Sequence, residues 1–365
     1  MIHLLDLILV FSLLLLPNSR AGAMQGPDAG QPATESTAVG DKTLVDLPSA
    51  IGAIQYEPGR GLRVGNTGLT LGGYTGVGIE RPEGGPATAA LDDLSLFVTY
   101  RPVARLHLFS ELEEEDLLRV DDHGRGGTNA QKFAVERLYG AFTVSDGLEL
   151  RFGQFLTPVG RWNVIHAQPL VWTTSRPLTT LVGFDTHTTG VVVQGALLDD
   201  SSLAYAVYSQ FLNTVAPPHE EVVSAKHTAG ARAEYSWLSG ASIGASYLAQ
   251  RLSNEWEHVA GIDAAWRASR IELSSEAIVG VPNGPRSRQW GGYVQCAWSI
   301  GGGLWTVLRY EHFDQRAPQR EINLVVPALA YRPTPYTIFK LEYVFADHRN
   351  DTSPAGFLTS FSLLF

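Results

Sequence analysis

Along most of the chain, apolar and polar side chains alternate with a period of two. Residues 335–346, "PYTIFKLEYVFA", put Phe339, Leu341, Tyr343 and Phe345 on one side and Lys340 and Glu342 on the other. Residues 304–313 set Leu304, Thr306, Leu308 and Tyr310 against Arg309 and Glu311. In 271–279, Ile271, Leu273, Ala277 and Val279 oppose Glu272, Ser274 and Glu276; in 148–152, Leu148, Leu150 and Phe152 oppose Glu149 and Arg151. Successive side chains of an extended strand point to opposite faces, so each stretch reads as a strand with one apolar and one polar face. From Gly65 onward little resembles an amphipathic helix.

The pattern predicts sixteen strands, at about 67–80, 91–101, 104–114, 132–145, 148–156, 187–198, 202–212, 227–237, 241–252, 256–267, 270–280, 288–300, 304–314, 321–332, 335–346 and 355–365. Their connections alternate. Every second one is tight and rich in turn formers, such as Ser145-Asp146-Gly147 and Gly301-Gly302-Gly303. Most of the others are longer and polar, the longest being 157–186. Only the link near Ser253-Asn254 breaks the rhythm.

Composition narrows what such a meander can be. Charged residues are 18% of the 365, against a typical roughly 25%. After the first 25 residues no apolar run approaches the roughly 20 needed for a membrane-spanning helix. The net charge of −10 argues against a nucleic-acid partner. The single cysteine, Cys296, excludes an intrachain disulfide and a Cys-paired zinc site.

The opening "MIHLLDLILVFSLLLLPNSRAGAMQ" has an apolar core from Leu7 to Leu16 and a small-residue run at Ala21-Gly22-Ala23. It is expected to be a signal peptide over residues 1–23. Residues 24–63, rich in Gly, Pro, Ala and Thr, read as a flexible or irregular lead-in. Residues 64–365 would form the folded unit. Backbone groups inside a bilayer are satisfied only in helices and closed barrels. Short turns on one side, long loops on the other and charges on one strand face fit a transmembrane antiparallel β-barrel of about sixteen strands in meander order. Sixteen strands enclose a channel rather than a small packed core.

The last residues, "FLTSFSLLF", resemble the Phe-terminated closing strand of Gram-negative outer-membrane porins, in which the barrel-assembly machinery recognises the final aromatic, here Phe365. "LELRFGQFLTPVGRWN" is similar to a segment of the phosphate-selective porin O/P-like group, through Arg151, Gly153, Phe155, Pro158 and Gly160. It departs from that group at Leu156, often basic there, at Val159, usually Phe, and in lacking a Lys/Arg-rich ladder. The resemblance implies that the loop after the fifth strand folds into the lumen and narrows it. Residues 157–186 then carry the constriction, with Arg161, His166 and Arg176 as polar groups and Trp162 and Trp172 as packing groups. The alternative is an external loop that never enters.

By alternation Arg137, Arg151, Arg232, Arg309 and Lys340 face the lumen with Glu111, Glu149, Glu234, Glu272, Glu276, Glu311 and Glu342. Rings of charge set selectivity in pores; the plainer role is wetting of the lumen. "ELEEED" at 111–116 reads as a solvated loop margin rather than a cation site. Gly240-Ala241-Ser242-Ile243-Gly244 matches G-x-S-x-G in letters only, because a nucleophile elbow needs a strand-to-helix turn.

The expected function is a porin-type channel for passive diffusion of small hydrophilic solutes or ions, not an enzyme, with no cofactor, metal or catalytic residue. Its expected partners are outer-membrane lipid and the assembly machinery. Many such channels are trimers, so the resemblance admits a homotrimer. The rival readings are an outer-membrane barrel enzyme and a secreted or surface β protein with a structural role.

Overall fold

A computed structural model describes residues 54–124, 126–127, 133–198, 202–217, 223–315, 321–347 and 355–365, apart from the side chains at 92, 115 and 116. The expected signal peptide and most of the expected lead-in lie outside the described residues. The end of that lead-in is ordered as a hairpin, β1 (Ile54–Glu57) with β2 (Gly61–Val64), turned at Gly59 and Gly61 with positive φ. β2 docks on the start of the first long strand.

Sixteen long strands follow: β3 (Leu69–Pro82), β4 (Thr88–Val103), β5 (Leu106–Asp121), then, after a two-residue bridge β6 (Gly126–Gly127), β7 (Phe133–Ser145), β8 (Leu148–Leu156), β9 (His187–Leu197), β10 (Leu203–Leu212), β11 (Thr228–Ser236), β12 (Ala241–Leu252), β13 (Glu255–Arg267), β14 (Ile271–Pro282), β15 (Gln289–Gly301), β16 (Leu304–Asp314), β17 (Glu321–Thr334), β18 (Thr337–Ala346) and β19 (Gly356–Leu364). Each pairs antiparallel with the next, and β19 returns to β3, running from Gly356 opposite Pro82 to Leu364 opposite Tyr74. The barrel is closed. Phe365 finishes the seam: its N–H donates to the Gly73 carbonyl at 2.8 Å and its carbonyl accepts from Gly73 N–H at 3.0 Å.

Each expected strand has its counterpart. The largest shift is at β5, which continues to Asp121 and takes "ELEEED" into the ladder instead of a loop margin. Among the described residues no group of three or more His, Cys, Asp or Glu could hold a metal ion. Ser242 sits at the start of β12, behind a hairpin turn and with no helix, as its pairing with Ser236 and Ala265 shows.

The outer face is apolar. Leu308 is 54% exposed, and Leu329, Leu341, Phe345, Val294 and Trp298 stand out beside it. So large an exposed apolar surface is costly in water and ordinary in lipid. The inner face departs from expectation. Charges do point inward, but so do Tyr74, Phe97, Phe109 and Tyr139, whose rings touch in sequence at centroid distances of 5.8, 5.8 and 5.3 Å. Phe155, Tyr208, Leu248, Ile278, Phe313 and Leu324 are buried inside as well. Alternation predicts which residues share a face, not what covers that face. Here the interior is covered by chain that folds back into it.

Candidate functional site

Residues 157–186 leave the top of β8, cross the barrel interior and return to β9. Two single-turn helices, α1 (Trp162–Ile165) and α2 (Leu178–Leu181), mark the course. The feet of the loop are tied together. Asn163 Nδ2 donates to the Thr157 carbonyl at 2.8 Å and the Thr186 carbonyl at 3.1 Å, and the Thr157 and Thr188 hydroxyls pair at 2.9 Å.

The loop is held from across the lumen by three carboxylates on alternate strands. On β14, one Glu276 oxygen accepts the Arg161 N–H at 2.9 Å, the Trp162 N–H at 2.5 Å and the Tyr293 hydroxyl at 3.0 Å. On β16, Glu311 accepts the Leu178 N–H at 2.8 Å. On β18, the two oxygens of Glu342 accept the Thr174 and Ser175 N–H groups, each at 2.8 Å. A loop has backbone donors with no ladder partner, and buried donors must be met. A carboxylate does this with short, charge-assisted bonds.

Two cations meet the loop carbonyls. Lys340 Nζ donates to Gln168 O at 3.0 Å, to Gln168 Oε1 at 2.6 Å and to Thr173 O at 3.2 Å. Arg309 donates to the Thr173 hydroxyl, to Ser175 O at 2.9 Å and to Ser175 Oγ at 2.6 Å, and pairs with Glu311 at 2.6 Å. All five of these wall charges, Glu276, Glu311, Glu342, Lys340 and Arg309, are nearly inaccessible to solvent. They grip the loop.

Local sequence makes this approach feasible. Gly160 has φ +63°, where a side chain is strained, and a Cβ there would strike the Glu276 carboxylate. The rest of the loop adds apolar contact. Trp172 lies 4.6 Å from the Trp305 ring, with the Arg332 guanidinium 4.8 Å from its own. Leu178, Val182 and Phe184 join the interior cluster.

On the β5–β7 side, Arg137 pairs with Glu111 and lies 4.8 Å from the Phe109 ring. His166 reaches from the loop to within 3.8 Å of Glu111 and 3.7 Å of Glu136, and His187 Nε2 sits 2.9 Å from Glu136. Glu136 was not foreseen. A bulge between Arg137 and Val135 takes it out of register, so it and Arg137 are both buried. Asp185, Gln250 and Gln289 were missed too; each bonds loop backbone or its return.

The remaining expected residues are placed differently. Glu149 accepts from Arg151 at 3.1 Å and Gln194 at 2.9 Å, and Arg151 stacks 4.1 Å from the Tyr139 ring. Glu272 is paired with Arg267 at 2.5 Å. Arg232 bonds Asp263 and Glu234, the latter at 2.6 Å. Arg161 approaches Glu234 at 3.8 Å, each side chain about a quarter exposed. Arg176 is half-buried, 5.9 Å from the Trp162 ring.

A closed sixteen-strand wall with a loop anchored inside it is the fold of outer-membrane porins. OmpF of Salmonella typhi, solved in complex with daunomycin, superposes with a TM-score of 0.61 at 11% identity, over 82% of this chain and 99% of that one. An anion-selective porin from Comamonas acidovorans gives 0.59 at 13%, over 81% and 98%. The trimer form of Vibrio cholerae OmpT, an outer membrane protein, gives 0.56 at 10%, over 81% and 99%. At these identities the likeness is one of fold. An uncharacterized protein of Aquifex aeolicus (strain VF5) is 24% identical over 342 residues, 78% of this chain and 77% of its own length. No family model matches the chain.

Proposed function

We propose that this protein is an outer-membrane channel through which small hydrophilic solutes or ions diffuse passively, with residues 157–186 as its constriction. The observation that carries this reading is the triple carboxylate clamp of Glu276, Glu311 and Glu342 on loop backbone inside a closed wall. A loop held this way narrows the lumen permanently. The chain is exported by its first 23 residues, Phe365 serves as the assembly signal, and the trimer form of one fold neighbour supports a homotrimer.

Arg309, Lys340, Glu311 and Glu342 hold the loop and have little to offer a passing ion. Arg161, Glu234 and Glu149 keep part of their surface and form the filter, with Arg176 as a second loop cation. One accessible basic ladder, as a phosphate pore would use, is not what these residues make, so mixed small solutes are the better reading than phosphate.

Planar-bilayer recording tests this. Discrete conductance steps are expected. The double variant Arg161→Gln, Arg176→Gln should shift the reversal potential in a salt gradient toward cations. No conductance from inserted, folded protein would overturn the channel. Conductance with an unmoved reversal potential would overturn the filter.

A further inference from the structure

The ladder of the wall is interrupted beside a proline. Pro327, midway along β17, has no N–H to donate, and proline is rare inside a sheet for that reason. β17 and β18 pair at Leu324 with Ala346 and Val325 with Phe345, then resume at Ala328 with Glu342; the two intervening pairs, 326–344 and 327–343, are absent. β16 keeps its register on the other side, with Leu308 opposite Pro327.

A shallow groove of about 460 Å³ lies here, open along the outer face. It runs between Leu308, Pro327, Leu329, Leu341, Tyr343 and Phe357, and its floor reaches Glu342. Its rims Leu308, Leu329 and Leu341 are exposed and continuous with the apolar belt. At one end Tyr343 donates its hydroxyl to Glu83, in the turn beyond β3, at 2.6 Å. The groove is thus greasy along its length and polar at one end, the profile of a lipid molecule lying along the barrel axis. A second protein copy would need a protruding ridge to fill it; a hydrocarbon chain needs only its own flexibility.

We propose that this groove seats one acyl chain of a membrane lipid, with the lipid's polar end beside Tyr343 and Glu83. The proposal rests on the bilayer placement above. The test uses the full chain reconstituted in phosphatidylethanolamine and phosphatidylglycerol vesicles carrying a mid-chain diazirine lipid, with crosslinked peptides mapped by mass spectrometry. Labelling of 327–343 should exceed that around other exposed belt residues, such as Val207 and Ile262, several-fold. Pro327→Val, which restores the missing donor, should abolish the excess while leaving belt labelling intact. Leu329→Phe, which narrows the mouth without changing the backbone, gives the same readout if the first variant does not assemble. Even labelling of the whole belt, or chain-to-chain crosslinks at 327–343 in place of lipid adducts, would overturn the seat and leave the channel standing. A protein that takes no label because it does not insert would overturn both.

Discussion

The 157–186 loop meets the wall in two different ways. Against β16 and β18, residues 168–178 give up backbone N–H and carbonyl groups to Arg309, Glu311, Lys340 and Glu342, all sealed from solvent. Against β11, Arg161 faces Glu234 side chain to side chain, at 3.8 Å and partly wet. The first contact is buried, multiple and geometrically exact, so losing one member leaves several groups unmet. The second is a single long ion pair in high dielectric, worth little to stability. Charge of one chemical kind therefore does two jobs in one lumen, and burial decides which. Residue type alone does not separate them.

The widest gap between the two regions should open when the clamp is cut. Glu342→Ala leaves the Thr174 and Ser175 N–H groups without the carboxylate that accepts from them. The cost is on the order of 1–3 kcal/mol for each buried donor left unmet. Heat- or denaturant-induced loss of the compact gel species should come earlier. Single-channel conductance should rise and become noisier as the loop lifts from the wall. Unchanged conductance would mean that this seat does not set the pore.

A smaller effect is expected at the first clamp. Gly160→Ala places a side chain where φ is +63° and into the path of the Glu276 carboxylate. A non-glycine residue held there costs about 1–3 kcal/mol. The loop's other two carboxylates remain, so partial rather than full loosening is expected, read as a conductance rise smaller than that of Glu342→Ala. If Gly160→Ala equals or exceeds the Glu342 variant, the clamps act in series rather than independently.

How much of this was legible beforehand follows from the same contrast. The wall was, because strand alternation and turn chemistry are local: "YTIFKLEYVF" shows its two faces without any partner. The inward position of the loop came from the resemblance to porins, with its length as support, and not from the alternation. The clamps were not, since Glu342 and Thr174 lie 168 residues apart and the contact is from carboxylate to backbone, which no side-chain pattern records. Glu136 was hidden by a bulge that alternation assumes away. The apolar interior was hidden by degeneracy: in "EINLVVPALAYR" both faces are greasy, so Ile322, Leu324 and Val326 read equally well toward lipid or toward a packed loop. Pro327 stood in plain sight, but its consequence depends on which neighbour loses its bond.

The finest separation comes from the exposed pair itself. Glu234→Gln and Arg161→Gln each remove one charge from a contact that contributes within about 1 kcal/mol, so neither should move the unfolding transition appreciably. Their effects on permeation should be opposite in sign. Loss of the Arg161 cation leaves the path more negative and raises cation preference; loss of the Glu234 carboxylate raises anion preference. Both shifts should shrink as ionic strength rises, because partly solvated charges are screened over a Debye length of about 10 Å at 0.1 M. Measured at low and high salt, opposite reversal-potential shifts that converge would place the ion path between the loop and β11. Shifts of the same sign, or none at low salt, would move that path to another part of the lumen while leaving the clamp, tested by Glu342→Ala, untouched.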